Sequence, residues 1–362
     1  MFQDHDSRDF GVVGSFGDDL SDSYEVSVGY GASGDTLFFG YPSGSMLSYG
    51  IPSIAAFAFN FAKNVAVVSI QGYKYSDVLI GGLKGDLLDG GAGGDLINGG
   101  AGRDTVSYEH SNTKVSVNLE TGLCKGGDAA GDRLVSIENI VGSANNDHLI
   151  GDAKANTLVS NGGYDTLEGG AGNDHIVISS KIDRIDGGSG QDTLTITEGS
   201  FVALTSGRFT GVEKINVEND ATLNLKNVEI GVSIKSLSTA DHGIAHDVDI
   251  TGTSGADRIT AGSGGDYLDG HKGNDKLFGG AGADIFNFDD DFGRDEIYKF
   301  NIKTDNLLVY KFAKSMDDIN IKSVHGGADT EITFSGSVDP NQKIILHGVD
   351  ASAVSEDAFW FV

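Results

Sequence analysis

A nine-residue phrase constrains this chain more than any other feature. It is written six times without a gap from Gly142 to Thr195: GSANNDHLI, GDAKANTLV, SNGGYDTLE, GGAGNDHIV, ISSKIDRID and GGSGQDTLT. The first six positions are turn chemistry, because glycine accepts positive φ without steric cost and Asn, Asp and Ser favour turns. Position eight is Leu or Ile between smaller or polar neighbours, which makes a minimal strand with one face inward. Two turns and two strands close a coil of eighteen residues, and stacked coils form a parallel ladder with strands about 4.8 Å apart. The expected fold is all-β: a right-handed parallel β-roll or β-helix solenoid.

A coil of constant length brings position six of one unit over position six of the next unit but one. Asp147 is expected over Asp165, Asp165 over Asp183, and Asp174 over Asp192. Neighbouring carboxylates at that spacing repel by about 1 kcal/mol in water, and by several times more where solvent is excluded. Glycine turns also leave main-chain carbonyls unshielded. Carboxylate and carbonyl oxygens, with no thiol or imidazole at fixed spacing, favour Ca2+ over zinc or copper, and Mg2+ tolerates such irregular cages badly. A flexible Gly/Asp linker would share the composition, but fixed spacing with an aliphatic at position eight argues against it.

The same phrase runs from Gly72 to Ser107, with Asp77, Asp86, Asp95 and Asp104 at position six. It runs again from Gly252 to Asn287, with Asp257, Asp266, Asp275 and Asp284, and restarts imperfectly at Asp295 after a two-residue slip. Lys84 stands at a glycine position, Asn156 replaces an aspartate, and Ile178 to Lys181 lack glycine altogether. Residues 108–141 break the period but keep strand character at Val115 to Leu119 and Leu134 to Ile137, so they are expected to continue the ladder with longer turns. Residues 196–251 read as metal-free β-helix. The expected organisation is a β-rich cap over 1–71, a solenoid over 72–300 with repeat runs at 72–107, 142–195 and 252–298, and a closing β cap over 301–362.

A formal charge of −28 argues against nucleic acid and anionic membrane surfaces as partners, and predicts poor compaction without counter-cations. The single cysteine, Cys124, excludes an internal disulfide framework, so metal would have to act as the staple. The opening MFQDHDSRDFGVVGSF lacks a basic region followed by an apolar core, so no Sec-type signal is read there. The longest apolar run, Ile51 to Ile70, contains Pro52, Asn60, Lys63 and Asn64, which disfavours a membrane helix.

Two units, Gly169 to Val177 and Gly187 to Thr195, match the consensus G-G-x-G-x-D-x-U-x, and over residues 72–300 the chain resembles the RTX, or haemolysin-type calcium-binding, family. That resemblance implies several bound Ca2+ ions held by the fourteen aspartates of the three runs: Asp77, Asp86, Asp95, Asp104, Asp147, Asp165, Asp174, Asp183, Asp192, Asp257, Asp266, Asp275, Asp284 and Asp295. It implies an extracellular protein exported by a type I ABC secretion apparatus that reads an uncleaved C-terminal signal, for which Asp357 to Val362 supplies the acidic-then-apolar ending.

The family's biological task is not fixed by its repeats, since it includes proteases, lipases, epimerases, toxins and adhesins. His242 and His246 have zinc-pair spacing without the glutamate of H-E-x-x-H, no G-x-S-x-G elbow occurs, and Phe16 to Asp22 resembles a GDSL-esterase block with Asp19 in place of its serine. The reading is a secreted calcium-binding protein that folds on extracellular Ca2+. It acts without catalysis at a cell surface, matrix or host interface, with a surface polysaccharide or host component as partner. A carbohydrate-active or hydrolytic enzyme with its site on the β-helix, and a membrane-active protein using Ile51 to Ile70, are the alternatives.

Overall fold

The computed structural model describes residues 69–362, apart from 73, 180, 181, 242, 243, 246, 290, 291, 312 and 338. It also describes three short strands, Ser27–Val28, Leu37–Phe38 and Ala58–Asn60. The Phe16 to Asp22 block, most of the expected N-terminal cap and of Ile51 to Ile70, and His242 and His246 lie outside the described residues. The chain divides into two compact units, residues 1–176 and 177–362. Among the described residues the regular structure is strand and short 3-10 turn.

In the first unit, eighteen-residue coils build two parallel ladders. One contains Val78–Ile80 and Leu96–Asn98, paired Val78 to Leu96; the other contains Ser69–Gln71, Leu87–Asp89, Thr105–Ser107, Asn139–Val141 and Thr157–Val159, with Leu87 opposite Thr105. The non-repeat stretch departs from expectation. Arg133–Val135 does pair parallel with Leu96–Asn98, and Ser116–Asn118 with His148–Ile150, but Leu123–Lys125 runs antiparallel between them. The chain doubles back there instead of circling on longer turns. Gly122 at φ 66° and Gly126 at φ 76° flank the reversed strand and supply the left-handed backbone such a reversal needs.

In the second unit, Thr193–Ile196, Lys214–Val217, Ser233–Ser236, Arg258–Thr260, Lys276–Phe278, Arg294–Tyr298 and Lys343–His347 form one parallel ladder. Phe201–Thr205, Thr222–Asn227, Asp249–Thr251, Tyr267–Asp269, Ile285–Phe288, Asn306–Val309 and Phe359–Phe361 form the other. Residues 196–251 thus remain solenoid. The two-residue slip is absorbed in a turn, since Lys276 pairs with Glu296 at a separation of twenty while Leu277 still meets Ile297.

The closing segment ends the first of these ladders with an antiparallel hairpin, Ile319–Val324 against Asp329–Phe334, laid on Lys343–His347. An antiparallel hairpin keeps the growing parallel edge from templating another coil. The Asp357 to Val362 ending is folded, with Phe359 buried and Trp360 exposed in a strand beside Asn306–Val309.

The core is the file of position-eight side chains. Leu79, Leu88, Ile97, Val106, Leu149, Leu158, Leu167 and Ile176 in the first unit are fully buried, as are Ile185, Leu194, Ile259, Leu268, Leu277 and Phe286 in the second. Each contributes roughly 1.5–3 kcal/mol of apolar burial, so one aliphatic per nine residues drives the coiling. Cys124 is buried and unpaired with another cysteine, and burial pushes its thiol up to about 12, which leaves it unreactive at neutral pH.

Candidate metal centre

The position-six aspartates sit where each glycine turn enters its strand. Thirteen of the fourteen are buried in the turn walls, Asp95, Asp104, Asp165, Asp192 and Asp275 completely or nearly so. Asp183 is the exception. It lies inside the strand Ile182–Asp186, points outward, and pairs with Arg208 at 2.7 Å. The four residues before Ile182 contain no glycine, so the turn that would fold a carboxylate inward is missing from that unit.

The aligned carboxylates meet main chain and not one another, contrary to the simple stack of repelling charges expected from spacing. The N–H of Asp77 donates to Oδ1 of Asp95 at 2.7 Å, that of Asp86 to Asp104 at 2.8 Å, and that of Asp147 to Asp165 at 2.7 Å. In the second unit, Asp257 donates to Asp275 and Asp275 to Asp295, while Asp266 donates to Asp284. The second oxygen often closes its own turn by accepting the N–H four residues earlier: Gly82 to Asp86, Ser143 to Asp147, Thr253 to Asp257, Gly262 to Asp266 and Gly280 to Asp284. Each aspartate therefore clips one coil to its neighbour.

Four acids outside the repeat runs complete these rows. Asp132 accepts from the N–H of Asp95, Glu138 from Asp104, Glu213 from Asp192 and Asp305 from Asp284. Each immediately precedes a strand whose second residue is aliphatic, which is the last part of the phrase; Asp132 also has Gly127 at the first position and Glu213 has Gly211 at the fourth, while Glu138 and Asp305 have no glycine at consensus positions. That fragment could have found them. Asn156 keeps the geometry without the charge: its Oδ1 accepts from Asp152 at 2.7 Å and its Nδ2 donates to the Glu138 carbonyl at 2.9 Å.

Burial without a counter-charge favours the protonated form of these carboxyls. It raises Asp95 and Asp165 to about 8, Asp275 to about 9, Asp295 to about 7, and Asp104, Asp257 and Asp284 to about 6, against an ordinary 3.8. Oδ2 of Asp95, Asp104, Asp165 and Asp275 is buried and has no hydrogen-bond partner. Oxygens converge beside these atoms. A methyl group on Gly99 would clash with Ser136 O and meet Asp104 Oδ2 at 2.5 Å, and one on Gly90 or Gly270 would clash with Asp95 Oδ2 or Asp275 Oδ2. The turn is thus an oxygen-lined cradle that only glycine leaves open. An all-oxygen, water-poor set of this kind fits Ca2+. Among the described residues no three His, Cys, Asp or Glu side chains stand together as a metal cluster, so carbonyls would have to supply the rest of any shell.

Four segments of the chain, residues 71–106, 141–176, 179–195 and 251–286, match the model of the RTX calcium-binding nonapeptide repeat. The chain carries RTX repeats. The matched segments contain the thirteen buried aspartates except Asp295, and Asp183 as well. No curated protein matches the whole. Among solved structures, the RTX chain is similar to the extracellular lipase LipA from Serratia marcescens at 16% identity, over 86% of this chain, with a TM-score of 0.19. The chain spans 41% of that lipase's length, and at such a TM-score the likeness carries no argument about chemistry.

Among the described residues, a further cluster of titratable groups lies at the closing hairpin. His347 places Nδ1 3.0 Å from Asp329 and Nε2 3.3 Å from Glu296, and His325 Nδ1 is 2.6 Å from Asp329. The Tyr298 hydroxyl, with Arg294 and His347, holds Glu296 down at about 2. Both nitrogens of His347 face carboxylates and the Gly348 N–H donates to Asp329, so this network clamps the closing hairpin to the last coils.

Proposed function

We propose that this chain is a secreted calcium-binding RTX protein that folds on meeting extracellular Ca2+ and acts by binding, without catalysis. The observation that carries this reading is the set of buried, partnerless Oδ2 atoms on Asp95, Asp104, Asp165 and Asp275 inside oxygen-lined turns. Bound Ca2+ would supply the positive charge those carboxylates lack. In the folded, calcium-bound turn the aspartates would be ionised, keep Oδ1 on the neighbouring N–H, and turn Oδ2 to the ion beside the turn carbonyls.

The cellular logic follows from the same chemistry. At low cytosolic calcium the acidic turns oppose compaction, and an unfolded chain can thread a type I ABC channel. At the ~10⁻⁴–10⁻³ M calcium affinities of extracellular modules, folding would begin outside. The non-enzymatic part rests on the sequence, which holds no G-x-S-x-G elbow and no H-E-x-x-H pair.

The test is a calcium titration followed by calorimetry and circular dichroism on the full chain and on Asp165→Ala. A gain of β signal on calcium, weakened by Asp165→Ala, supports the proposal. Equal β signal and equal stability in chelator and in calcium would overturn it, and turnover of esters, casein or uronate polymers would overturn the non-enzymatic part.

A further inference from the structure

The strongly acidic second unit keeps a row of unpaired cations on one sheet face. Along the ladder the outward positions read Thr193, Lys214, Ser233, Arg258 and Lys276 in register, with Asn216, Lys235, Thr260 and Phe278 two residues further along each strand. Lys214, Lys235, Arg258 and Lys276 are exposed, and none enters an ion pair with the acids that engage other cations of the unit. Glu296, which stands opposite Lys276, is already held by Tyr298, Arg294 and His347. The other ladder of the same unit has only Lys226 as a strand cation and carries Asp249 and Asp269 instead. In a chain of net charge −28, a row with no acid at its outward ladder positions from Thr193 to Lys276 is a local exception to the overall field.

We infer that this face docks an extended acidic polysaccharide, one carrying carboxylates along a linear chain of sugars. Successive coils are about 4.8 Å apart, so Lys214 to Lys276, three ladder steps, spans about 14 Å. An extended 1→4-linked pyranose chain advances by nearly one ladder step per sugar, so its carboxylates can meet cations on successive coils. Ser233 lies between Lys214 and Arg258, Asn216 and Thr260 flank Lys235, and Thr193 precedes Lys214; these offer hydroxyl and amide groups to sugar hydroxyls. This deepens the binding role proposed above, and rests on it only for a folded ladder.

The aromatic side chains at the end of the row distinguish a polysaccharide from single-stranded nucleic acid. Phe278 stacks on Tyr298 at 4.6 Å, Arg258 covers Phe278 at 3.8 Å, and His347 covers Tyr298 at 4.2 Å. Their faces are spent on one another, which leaves no platform on which a base could stack.

The experiment is affinity electrophoresis of the calcium-folded full chain through gels containing polygalacturonate, dextran or single-stranded DNA. Free calcium is buffered at about 1 mM, the range of extracellular modules. One variant carries Lys214→Gln, Lys235→Gln, Arg258→Gln and Lys276→Gln. A charge-matched control carries Lys84→Gln, Lys114→Gln, Lys125→Gln and Lys226→Gln. Polygalacturonate should retard wild type and control, and the first variant should bind at least about tenfold more weakly, with retardation fading as salt screens the charges. Folded wild type that runs freely in polygalacturonate, equal loss in both variants, or stronger retardation by dextran or DNA would each overturn the inference. Circular dichroism of the same samples separates this outcome from failure of calcium-driven folding.

Discussion

Asp275→Asn tests whether the buried carboxylates are held in reserve for a cation or serve only as hydrogen-bond acceptors. Asp275 is fully buried, burial raises it to about 9, and its Oδ2 has no partner. Between pH 5 and 7 the folded metal-free protein holds this proton and the unfolded chain, near 3.8, does not. Stability therefore falls as pH rises through this window, by about 1.4 kcal/mol per unit, or about 3 kcal/mol over two units. Asparagine cannot titrate, and Asn156 shows that an amide satisfies position six through both of its polar atoms. In chelator, the stability of Asp275→Asn relative to wild type should rise by about 3 kcal/mol from pH 5 to 7. Any fixed cost of the amide's hydrogen bonds cancels in that difference. The assay is urea unfolding followed by circular dichroism, in a constant sucrose concentration that keeps both proteins folded. In calcium at pH 7 the order should reverse, with wild type the more stable. A difference that does not change with pH in chelator would refute the reasoning, and so would a loss that persists equally with and without calcium.

Three further outcomes follow from the same geometry. With the chain held folded in chelator by sucrose, calcium added at pH 7 in weak buffer should release protons, because Asp95 and Asp165 at about 8 and Asp275 at about 9 hold theirs in the fold; unchanged pH on saturation would contradict this. Asp183→Ala should change calcium binding and stability by less than about 0.5 kcal/mol, whereas Asp165→Ala leaves the Asp147 N–H without its acceptor and should cost about 1–3 kcal/mol; paired unfolding curves in calcium check both. Gly170→Ala, at φ 103° and against the Asp152 carbonyl, should cost more than the roughly 1 kcal/mol of Gly199→Ala, which meets nothing within 4 Å, as thermal melts of the two variants would show.

The coil, its core and most of its acidic rows were legible because a solenoid is nearly a one-dimensional object. The aliphatic at position eight and the carboxylate at position six are both set by local spacing, so Leu268 and Asp266 follow from the sequence without knowledge of any distant contact. Legibility failed wherever the nine-residue period broke down. Leu123–Lys125 turned the chain against its neighbours because Gly122 and Gly126 permit reversal, and nothing in a nine-residue period announces a strand that runs backwards. Asp183 has the right residue at the right count, yet a strand that begins at Ile182 turns it outward.

Asp132, Glu138, Glu213 and Asp305 invert that case. Glu138 and Asp305 have no glycine ahead of them at repeat spacing, and Asp132 and Glu213 keep one each, Gly127 and Gly211, but each of the four stands one residue before its strand and accepts a neighbouring N–H. What places a carboxylate in the row is therefore a turn that folds it inward at the strand entry, as at Asp295 behind Gly293 and not at Asp183, and glycine at consensus spacing is one way to build that turn. Stretches without the consensus can build it too, which is how the acidic rows pass through segments that the nine-residue period does not reach.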